Sequence, residues 1–417
     1  MARIAVVGAG ISGLSCADLL RTDHDVVLFE SGQQAGGHSR TITVSRPGGP
    51  VPVDTGFIVY NEVNYPLLTK LFAALGVATK PSDMSFGLRY GDGELEFCAS
   101  SLEGLFAQRK NLFSPRYLRM LADILRFFRS GRLVLEEPGD PTLGEFIERL
   151  APGDWFRDRF LVPMGAAIWS TPPREMLQFP AKTFMRFFDN HGLLSVNGHH
   201  SWRTVSGGSQ EYVRRITEQL GPRVRPGSPV AEVRAVNNGF EVVTKNGEAD
   251  RFDEVVMAAH ADASLAMIAD PTPDERRILG AFTFRDNEAF LHTDARLMPK
   301  TKAAWASWVY AAGGPDEDAR VSVTYWMNRL QGLEGEDIFV TLNPDREIAP
   351  EAIIDRHVFR HPTFSHTAVA AQDDIPSIQG ARGLWFCGAW QRNGFHEDGL
   401  WSAVRVAKAK GVKIPWL

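Results

Sequence analysis

The chain has 417 residues, 44% of them hydrophobic and 23% charged, with 45 Lys and Arg against 50 Asp and Glu. That length sets an expectation of two domains, and the composition is that of a globular protein with ample apolar material for its cores. A net charge of −5 and a pI near 6.1 argue against nucleic-acid binding as a main role, and the three cysteines, Cys16, Cys98 and Cys387, are too scattered for a disulfide framework or a metal cluster and suit a reducing compartment.

The chain begins MARIAVVGAG, a short apolar run ending in glycines that reads as a first β-strand and not as a signal peptide. No stretch approaches the ~20 apolar residues that span a bilayer, so the expectation is a cytoplasmic protein, free or peripheral on the inner face of the cell membrane. Gly8, Gly10 and Gly13 complete G-x-G-x-x-G directly after the strand Ile4–Val7, and Leu14, Ala17 and Leu20 continue in helical spacing. In such a turn the glycines serve a tight bend, close approach of backbone to a pyrophosphate, and close packing of helix on strand. The N–H groups at the helix start, that of Ser12 among them, are then free for the phosphates. A second strand, DVVLFE, ends in Glu30, twenty positions beyond Gly10. A carboxylate there accepts hydrogen bonds from ribose hydroxyls and disfavours a 2′-phosphate. No second glycine motif follows a strand, so a separate pyridine-nucleotide domain is not expected.

Beyond Glu30 come SGQQAGGHSRT and VDTGF, which resemble the extended FAD fingerprint of the amine oxidase and phytoene desaturase superfamily. The resemblance implies FAD as the cofactor, with Gly36, Gly37 and Arg40 along its pyrophosphate and flavin, and with Gly56 and Phe57 leading toward the isoalloxazine. It also implies an α/β fold. A Rossmann-type FAD-binding domain would be built from discontinuous segments, 1–60, 200–265 and 370–417, beside an α+β substrate domain from 61–199 and 266–369. WRTVSGGSQEYVRRITEQL places a Gly-Gly-Ser turn before an amphipathic helix, the runs Val230–Val236 and Phe240–Val243 flank an NNG hairpin turn, and FDEVVMAAH is a buried strand. In the superfamily the residue matching Val230 meets the adenine through its backbone. GLWFCGAW is a last apolar strand, ending at Gly388. SGGS carries no cysteine and Cys387 lies on that buried strand, so the expected FAD is non-covalent.

Residues 109–132, RKNLFSPRYLRMLADILRFFRSGR, hold six arginines and one lysine against Asp123, a local balance of +6. Arg116, Arg119, Asp123 and Arg126 share one helical face, and Tyr117, Leu121, Ile124 and Phe128 line another. Two readings fit: a basic amphipathic helix in peripheral contact with an anionic membrane, and a surface helix whose apolar face packs on the core.

Longer segments narrow the resemblance. GFIVYNEVNYPLLTKLFAALGV, SDMSFGL, LFAQRKNLFSP, LVPMGAAIWSTP, LMPKTKAAWASW, TYWMNRLQ and WFCGAWQRNGFHEDGL together resemble the flavin-binding N-terminal region of plant cyclopropane fatty acid synthases. They also resemble stand-alone bacterial NAD/FAD-binding proteins of the furan fatty acid desaturase type. The resemblance implies an FAD-dependent oxidoreductase that desaturates a lipid-linked, methyl-branched acyl chain by hydride transfer to flavin N5. It implies a SAM-dependent acyl-chain methyltransferase as a separate partner chain. An oxidase of a small amine or other polar metabolite, and a non-catalytic FAD module that partners such a methyltransferase, are the competing readings.

An acyl substrate needs an apolar tunnel, for which FPAKTFMRFF (179–188), Trp305, Trp308, Tyr325 and Trp326 offer material, each equally fit for core. Desaturation also needs a proton acceptor beside the oxidised carbon. The catalytic candidates are Tyr60, Tyr325 and His396, with His191 and His292 behind them; His292 reads as readily as a satisfied structural histidine. Many amine oxidases place a Lys beside flavin N5, but Lys300 and Lys302 lie in no matching motif.

GFHEDGL (394–400) sets three titratable side chains in a row. Consecutive His-Glu-Asp does not converge easily on one metal ion, and no metal is expected. Leu400, Ala403, Val404 and Ala407 fall on one helical face. The segment therefore reads as a helix entrance, with Asp398 as N-cap and the N–H groups of Gly399 and Leu400 free. In the superfamily this helix start points at the pyrimidine edge of the isoalloxazine, where its positive end stabilises charge near N1 and O2. Of the three side chains only His396 stays an acid/base candidate.

Overall fold

The computed structural model describes residues 1–169, 172–190, 194, 200–312 and 322–417. Alternate residues of the strand Arg3–Val7 enter two different cores, Ile4 and Val6 on one side and Ala5 and Val7 on the other. A strand apolar on both faces belongs inside a covered parallel sheet, and this one is the middle of five. The order is Val224–Arg225, Asp25–Phe29, Arg3–Val7, Glu254–Met257, Leu384–Phe386, all parallel. The strand order reverses at Arg3–Val7, so its carboxyl end, where Gly8 stands, is the switch point at which such sheets bind ligands.

The helix Ile11–Leu20 and the last helix, His396–Ala409, pack on one face through Leu14, Ala17, Ala403 and Ala407. A three-stranded meander, Val230–Val236, Gly239–Thr244 and Ala249–Phe252, packs on the other through Val233, Phe240 and Phe252. Its first turn is the expected NNG, with Asn238 at φ 64°.

A seven-stranded sheet lies beyond, in the order Ile353–Thr363, Thr283–His292, Phe339–Leu342, Ser322–Trp326, Trp308–Ala312, Phe86–Tyr90, Leu95–Cys98. Trp308–Ala312 and Phe86–Tyr90 run parallel; the other pairs are antiparallel. Leu88, Tyr310 and Val323 of this sheet share a core with the helices Pro115–Ser130, Leu143–Leu150, Val162–Trp169 and Ala181–Asn190. That core is rich in phenylalanine, and Phe179, Phe184 and Phe188 are part of it rather than of a tunnel wall.

The helix Pro115–Ser130 opens at Ser114, whose side chain accepts from Tyr117 N at 3.3 Å, with Pro115 in its first turn. Tyr117, Met120, Asp123 and Phe127 form its buried face, and Leu121, Ile124 and Phe128 are half-buried beside them. Asp123, expected among the arginines, instead turns inward: it accepts from Gly153 N at 2.8 Å and pairs with Arg126 at 3.0 Å. The inner apolar face thus packs on the core. Among the described residues no helix is long and apolar enough to cross a membrane.

Candidate cofactor and substrate site

The three motif glycines divide their work as the spacing requires. At Gly8, with φ +105°, a Cβ would lie 3.0 Å from Ala258 O; at Gly13 it would lie 1.8 Å from Gly8 O; at Gly10 it would meet nothing within 4 Å. Protein packing demands the first and third, while the second faces open space, as backbone must where a pyrophosphate approaches. No side chain caps the helix that starts at Ile11, so its first N–H groups, with Ser12 second in line, are left for an anion. Gly37, at φ +56°, folds back until its Cβ position is 3.1 Å from Gly10 Cα.

Glu30 Oε2 accepts from Ala9 N (2.8 Å), and Oε1 accepts from Gly32 N (2.7 Å) and Ser31 Oγ (3.1 Å). A carboxylate has about four acceptor positions, so one is left for a ribose hydroxyl. Ser228 N donates to Glu30 O at 2.8 Å, which brings Val230, at the start of the meander, beside this acid. These residues fit the adenosine diphosphate half of FAD. Arg40 is otherwise engaged: its two Nη atoms hold Asp355 at 2.7 and 3.1 Å, tying its loop to the strand Ile353–Thr363.

Asp54 ends the strand Val51–Asp54 fully buried. Its Oδ1 accepts from Thr41 Oγ1 (2.6 Å), Ser209 N (2.8 Å) and Ser209 Oγ (2.9 Å), and Oδ2 accepts from Gln331 Nε2 (3.0 Å). Burial raises its pKa to about 6 in spite of the bonds from Thr41 and Ser209. The carboxylate thereby ties VDTGF to the SGGS turn and to TYWMNRLQ. Two residues on, a Cβ at Gly56 would lie 2.2 Å from His38 O, and Phe57 N donates to that same oxygen at 2.7 Å. Phe57 is presented by this pinch.

What it meets is His396. The rings stack with centroids 3.8 Å apart and planes 12° from parallel. His396 Nε2 lies 2.8 Å from Ser39 Oγ and 3.3 Å from Tyr212 Oη, and Ser39 and Tyr212 are hydrogen-bonded to each other. One self-consistent assignment has Tyr212 donating to Ser39 and Ser39 donating to Nε2, with the imidazole proton on Nδ1. Burial pushes the His396 pKa down to about 3, so the ring is neutral at any physiological pH. With Nε2 engaged as well, it is suited to holding position more than to taking a proton.

The other candidates fall in different places. Tyr60 is core: its ring packs on Tyr65 and Phe72 and its hydroxyl donates to Thr79 Oγ1 at 3.3 Å. Tyr325 is half-buried on the seven-stranded sheet, edge-on to Trp308, and packs against the cluster of Ala289, Leu342 and Phe359. Phe359 in turn reaches Gly56, whose Cβ position is 3.0 Å from its ring. The Tyr325 hydroxyl makes no hydrogen bond among the described residues, and burial raises its pKa, so the phenol stays protonated. His292 is a satisfied core residue, with Nε2 2.7 Å from Thr341 Oγ1 and Nδ1 accepting from Asp294 N at 3.1 Å. His191 lies outside the described residues. Lys300 and Lys302 are exposed and pair with Asp92 and Asp337. Among the described residues no group of His, Cys, Asp and Glu could hold a metal ion.

GFHEDGL is a helix entrance, displaced by one turn from the expectation. The helix begins at His396 with Phe395 as N-cap, and Asp398 is its third residue. Asp398 Oδ2 reaches back to accept from Phe395 N (3.0 Å) and Asn393 N (3.2 Å), while Gly399 N donates to Phe395 O at 3.1 Å. A carboxylate at this third position secures the N-cap N–H from inside the helix, so Asp398 is not the cap and Gly399 N–H is not free. Glu397 accepts from Leu67 N (2.9 Å) and Leu68 N (3.0 Å), capping the helix Pro66–Leu75. A Cβ on Gly399 would lie 2.8 Å from both Ile11 Cγ2 and Ser12 Oγ, so the first and last helices abut at their N-termini. Leu400 is fully buried core, and Gly388 makes room for Trp390, whose Nε1 would be 2.0 Å from a Cβ there.

Sequence reasoning passed over several of these residues. Ser39 and Tyr212, which hold His396, carry no motif of their own. Phe187, within the 179–188 segment offered above as tunnel lining, stacks on Phe395 at 5.0 Å beside the same helix entrance. Gly394 packs there against Phe364 and Pro362. Aromatic rings thus gather around Phe57 and His396, beside the buried carboxylates of Glu397 and Asp398 and the Arg392 that lies 3.6 Å from Asp398.

Comparison with known proteins supplies a context for this geometry. A family model described as flavin containing amine oxidoreductase matches residues 11–302. A putative flavin-containing monoamine oxidase, AofH, of Mycobacterium tuberculosis is 26% identical over 287 residues, covering 65% of this chain and 60% of that protein. A probable zeta-carotene desaturase of Synechococcus elongatus is 26% identical over 163 residues, covering 37% of this chain and 34% of that protein. The chain thus spans about 60% of the length of the monoamine oxidase it matches. Among solved structures, cyclohexylamine oxidase from Brevibacterium oxydans superposes with a TM-score of 0.70 at 14% identity, over 98% of this chain and 99% of that one. The CLA-producing fatty acid isomerase from P. acnes gives 0.69 at 13% identity over 98% of each chain. These likenesses show a shared two-domain fold.

Proposed function

The chain belongs to the flavin-containing amine oxidoreductase family, a family of FAD-dependent oxidoreductases, and from that premise we propose that it desaturates a lipid-linked, methyl-branched fatty acyl chain with non-covalent FAD. The observation that carries this is the cluster of aromatic rings at the helix entrance, Phe57 on His396, Phe187 on Phe395 and Phe364 against Gly394, where the carboxylates of Glu397 and Asp398 are engaged by backbone N–H groups. An acyl chain offers hydrocarbon and no charge, so it is recognised by burial and shape. When bound, FAD supplies a two-electron acceptor.

The chain's own residues would do the rest. Phe57, Phe187 and Phe395 exclude water and align the chain. His396, held neutral by burial and fixed by Ser39 and Tyr212, keeps Phe57 in place. The Tyr325 hydroxyl, protonated and without a hydrogen bond among the described residues, would take up the proton lost from the adjacent carbon while releasing its own to solvent.

Oxidation of a small amine is the second reading, favoured by the likeness to the mycobacterial monoamine oxidase. Anaerobic mixing separates the two. Detergent-dispersed methyl-branched phospholipid should bleach the flavin, with an acyl product two mass units lighter. Bleaching by amines alone overturns the acyl reading. If neither class bleaches the flavin and an acyl-chain methyltransferase depends on this chain for activity, a non-catalytic partner role replaces both.

A further inference from the structure

Eleven large hydrophobic residues are exposed among the described residues, and six of them, Leu102, Leu112, Phe113, Leu118, Leu125 and Leu133, lie within one stretch of 32. Such a concentration marks a contact surface rather than chance exposure. Phe113 is 87% exposed, Leu102 77% and Leu133 60%.

The stretch is held as one piece. The Tyr117 hydroxyl donates to Leu105 O, pinning the short helix Leu102–Leu105 to the start of Pro115–Ser130. Phe113 stands immediately before that long helix and Leu133 just after it. On the helix itself Leu118, Ala122, Leu125 and Arg129 follow at 4, 3, 4 spacing and form one outward stripe, all exposed. This is the side opposite the buried Tyr117, Met120 and Phe127.

Charge identifies the occupant. Residues 109–132 carry a balance of +6 in a chain of net −5. Arg119 and Arg126 pair with Asp123, and Arg132 pairs with Asp189. Arg109, Arg116 and Arg129 are exposed and make no ion pair among the described residues. A two-fold contact with a second copy would set this patch against itself, like charge on like. Leucines interleaved with arginines instead match the boundary of an anionic bilayer, where hydrocarbon lies below a layer of phosphate.

We propose that residues 102–133 form a docking surface for anionic phospholipid bilayers. Phe113, Leu102, Leu118, Leu125 and Leu133 enter the acyl boundary, and Arg109 and Arg129 sit at the phosphates. The surface does not rest on the acyl-substrate reading, since it is built from exposed side chains alone. If both hold, the helix that touches the bilayer shares its core with Phe187, which stacks on Phe395 at the site.

The test is co-sedimentation of the full-length, FAD-loaded chain with vesicles of phosphatidylglycerol and phosphatidylcholine in equal parts, or of phosphatidylcholine alone. The chain should pellet with the anionic vesicles and less so as salt rises. Arg109→Gln with Arg129→Gln should weaken partitioning roughly 25-fold, about fivefold per charge. Phe113→Ser should weaken it too, while the control pair Arg223→Gln and Arg251→Gln leaves it unchanged. Flavin content and melting temperature verify folding of each variant. The proposal is overturned by equal binding to both vesicles, by binding that ignores the Arg109, Arg129 and Phe113 changes, or by self-association that Phe113→Ser abolishes. Because no turnover is read, vesicle binding and flavin bleaching can fail separately.

Discussion

The imidazole of His396 lies flat on the ring of Phe57, 3.8 Å from centroid to centroid, with its Nε2 held by Ser39. A histidine in that setting is a prop. With its pKa near 3, it contributes no limb to a pH profile of flavin reduction between pH 5 and 9. His396→Asn should therefore change the reduction rate by less than about tenfold and leave the profile's shape intact. A general base in the same place would show a loss of about 10²-fold or more.

Tyr325 carries the opposite expectation. Its hydroxyl has no hydrogen bond to lose among the described residues, so Tyr325→Phe should leave stability within about 0.5 kcal/mol of the parent. Stopped-flow reduction by the lipid substrate should slow about 10²-fold. An unchanged rate removes Tyr325 from the proton path.

Gly10 and Gly13 separate cofactor binding from folding. A Cβ at Gly13 collides with Gly8 O at 1.8 Å, so Gly13→Ala should destabilise the apoprotein by about 3 kcal/mol or fail to fold. Gly10 has φ −74° and nothing within 4 Å of its Cβ position, so Gly10→Ala should fold with an unchanged melting point. It should still purify with much less flavin, read from the visible absorbance.

Asp54→Ala would strand donors from Thr41, Ser209 and Gln331 in the interior. Each buried donor left unpaired costs about 1–3 kcal/mol. The expected loss is about 3–5 kcal/mol in denaturant unfolding.

Acidification should destabilise the fold. Burial lowers His38, His260, His292, His361 and His396 below the ordinary 6.5, three of them to about 4 and His396 to about 3. Below pH 6.5 the unfolded chain takes up protons that the folded chain refuses, so this stability is complete above 6.5 and drains away as pH falls toward 4. Asp54 and Asp398, raised from 3.8 to about 6, act in reverse: their contribution is full below 3.8 and is lost as pH rises through 6. Glu397, also raised by burial, acts in the same sense; five histidines against three carboxyls leave a net fall, and the melting temperature should be lower at pH 5 than at pH 7.5. A rise would contradict the balance.

The features legible in the sequence are those whose cause is local. The glycine motif, the acid at Glu30, the NNG turn and the apolar face of the last helix each follow from neighbours a few positions away. Long-range partners were invisible. Asp54 was read as part of a motif, yet its role comes from Thr41, Ser209 and Gln331, which only the fold assembles. The entrance at GFHEDGL was located but shifted by a turn. Asp398 looks like a cap, and nothing nearby reveals that its carboxylate bonds backward to Phe395 N. Asp123 reads in sequence as one of an arginine-bearing face because Gly153 N, its partner, stands 30 residues further on.

The abutment of Gly399 on Ile11 and Ser12 also sets an order of events during synthesis. The two sides of this contact are 387 residues apart in the chain, which a ribosome adding 5–20 residues per second separates by about 20 to 80 s. For that interval the glycine loop exists without the helix that backs it. The nascent chain therefore holds an incomplete cradle until the helix His396–Ala409 has been made.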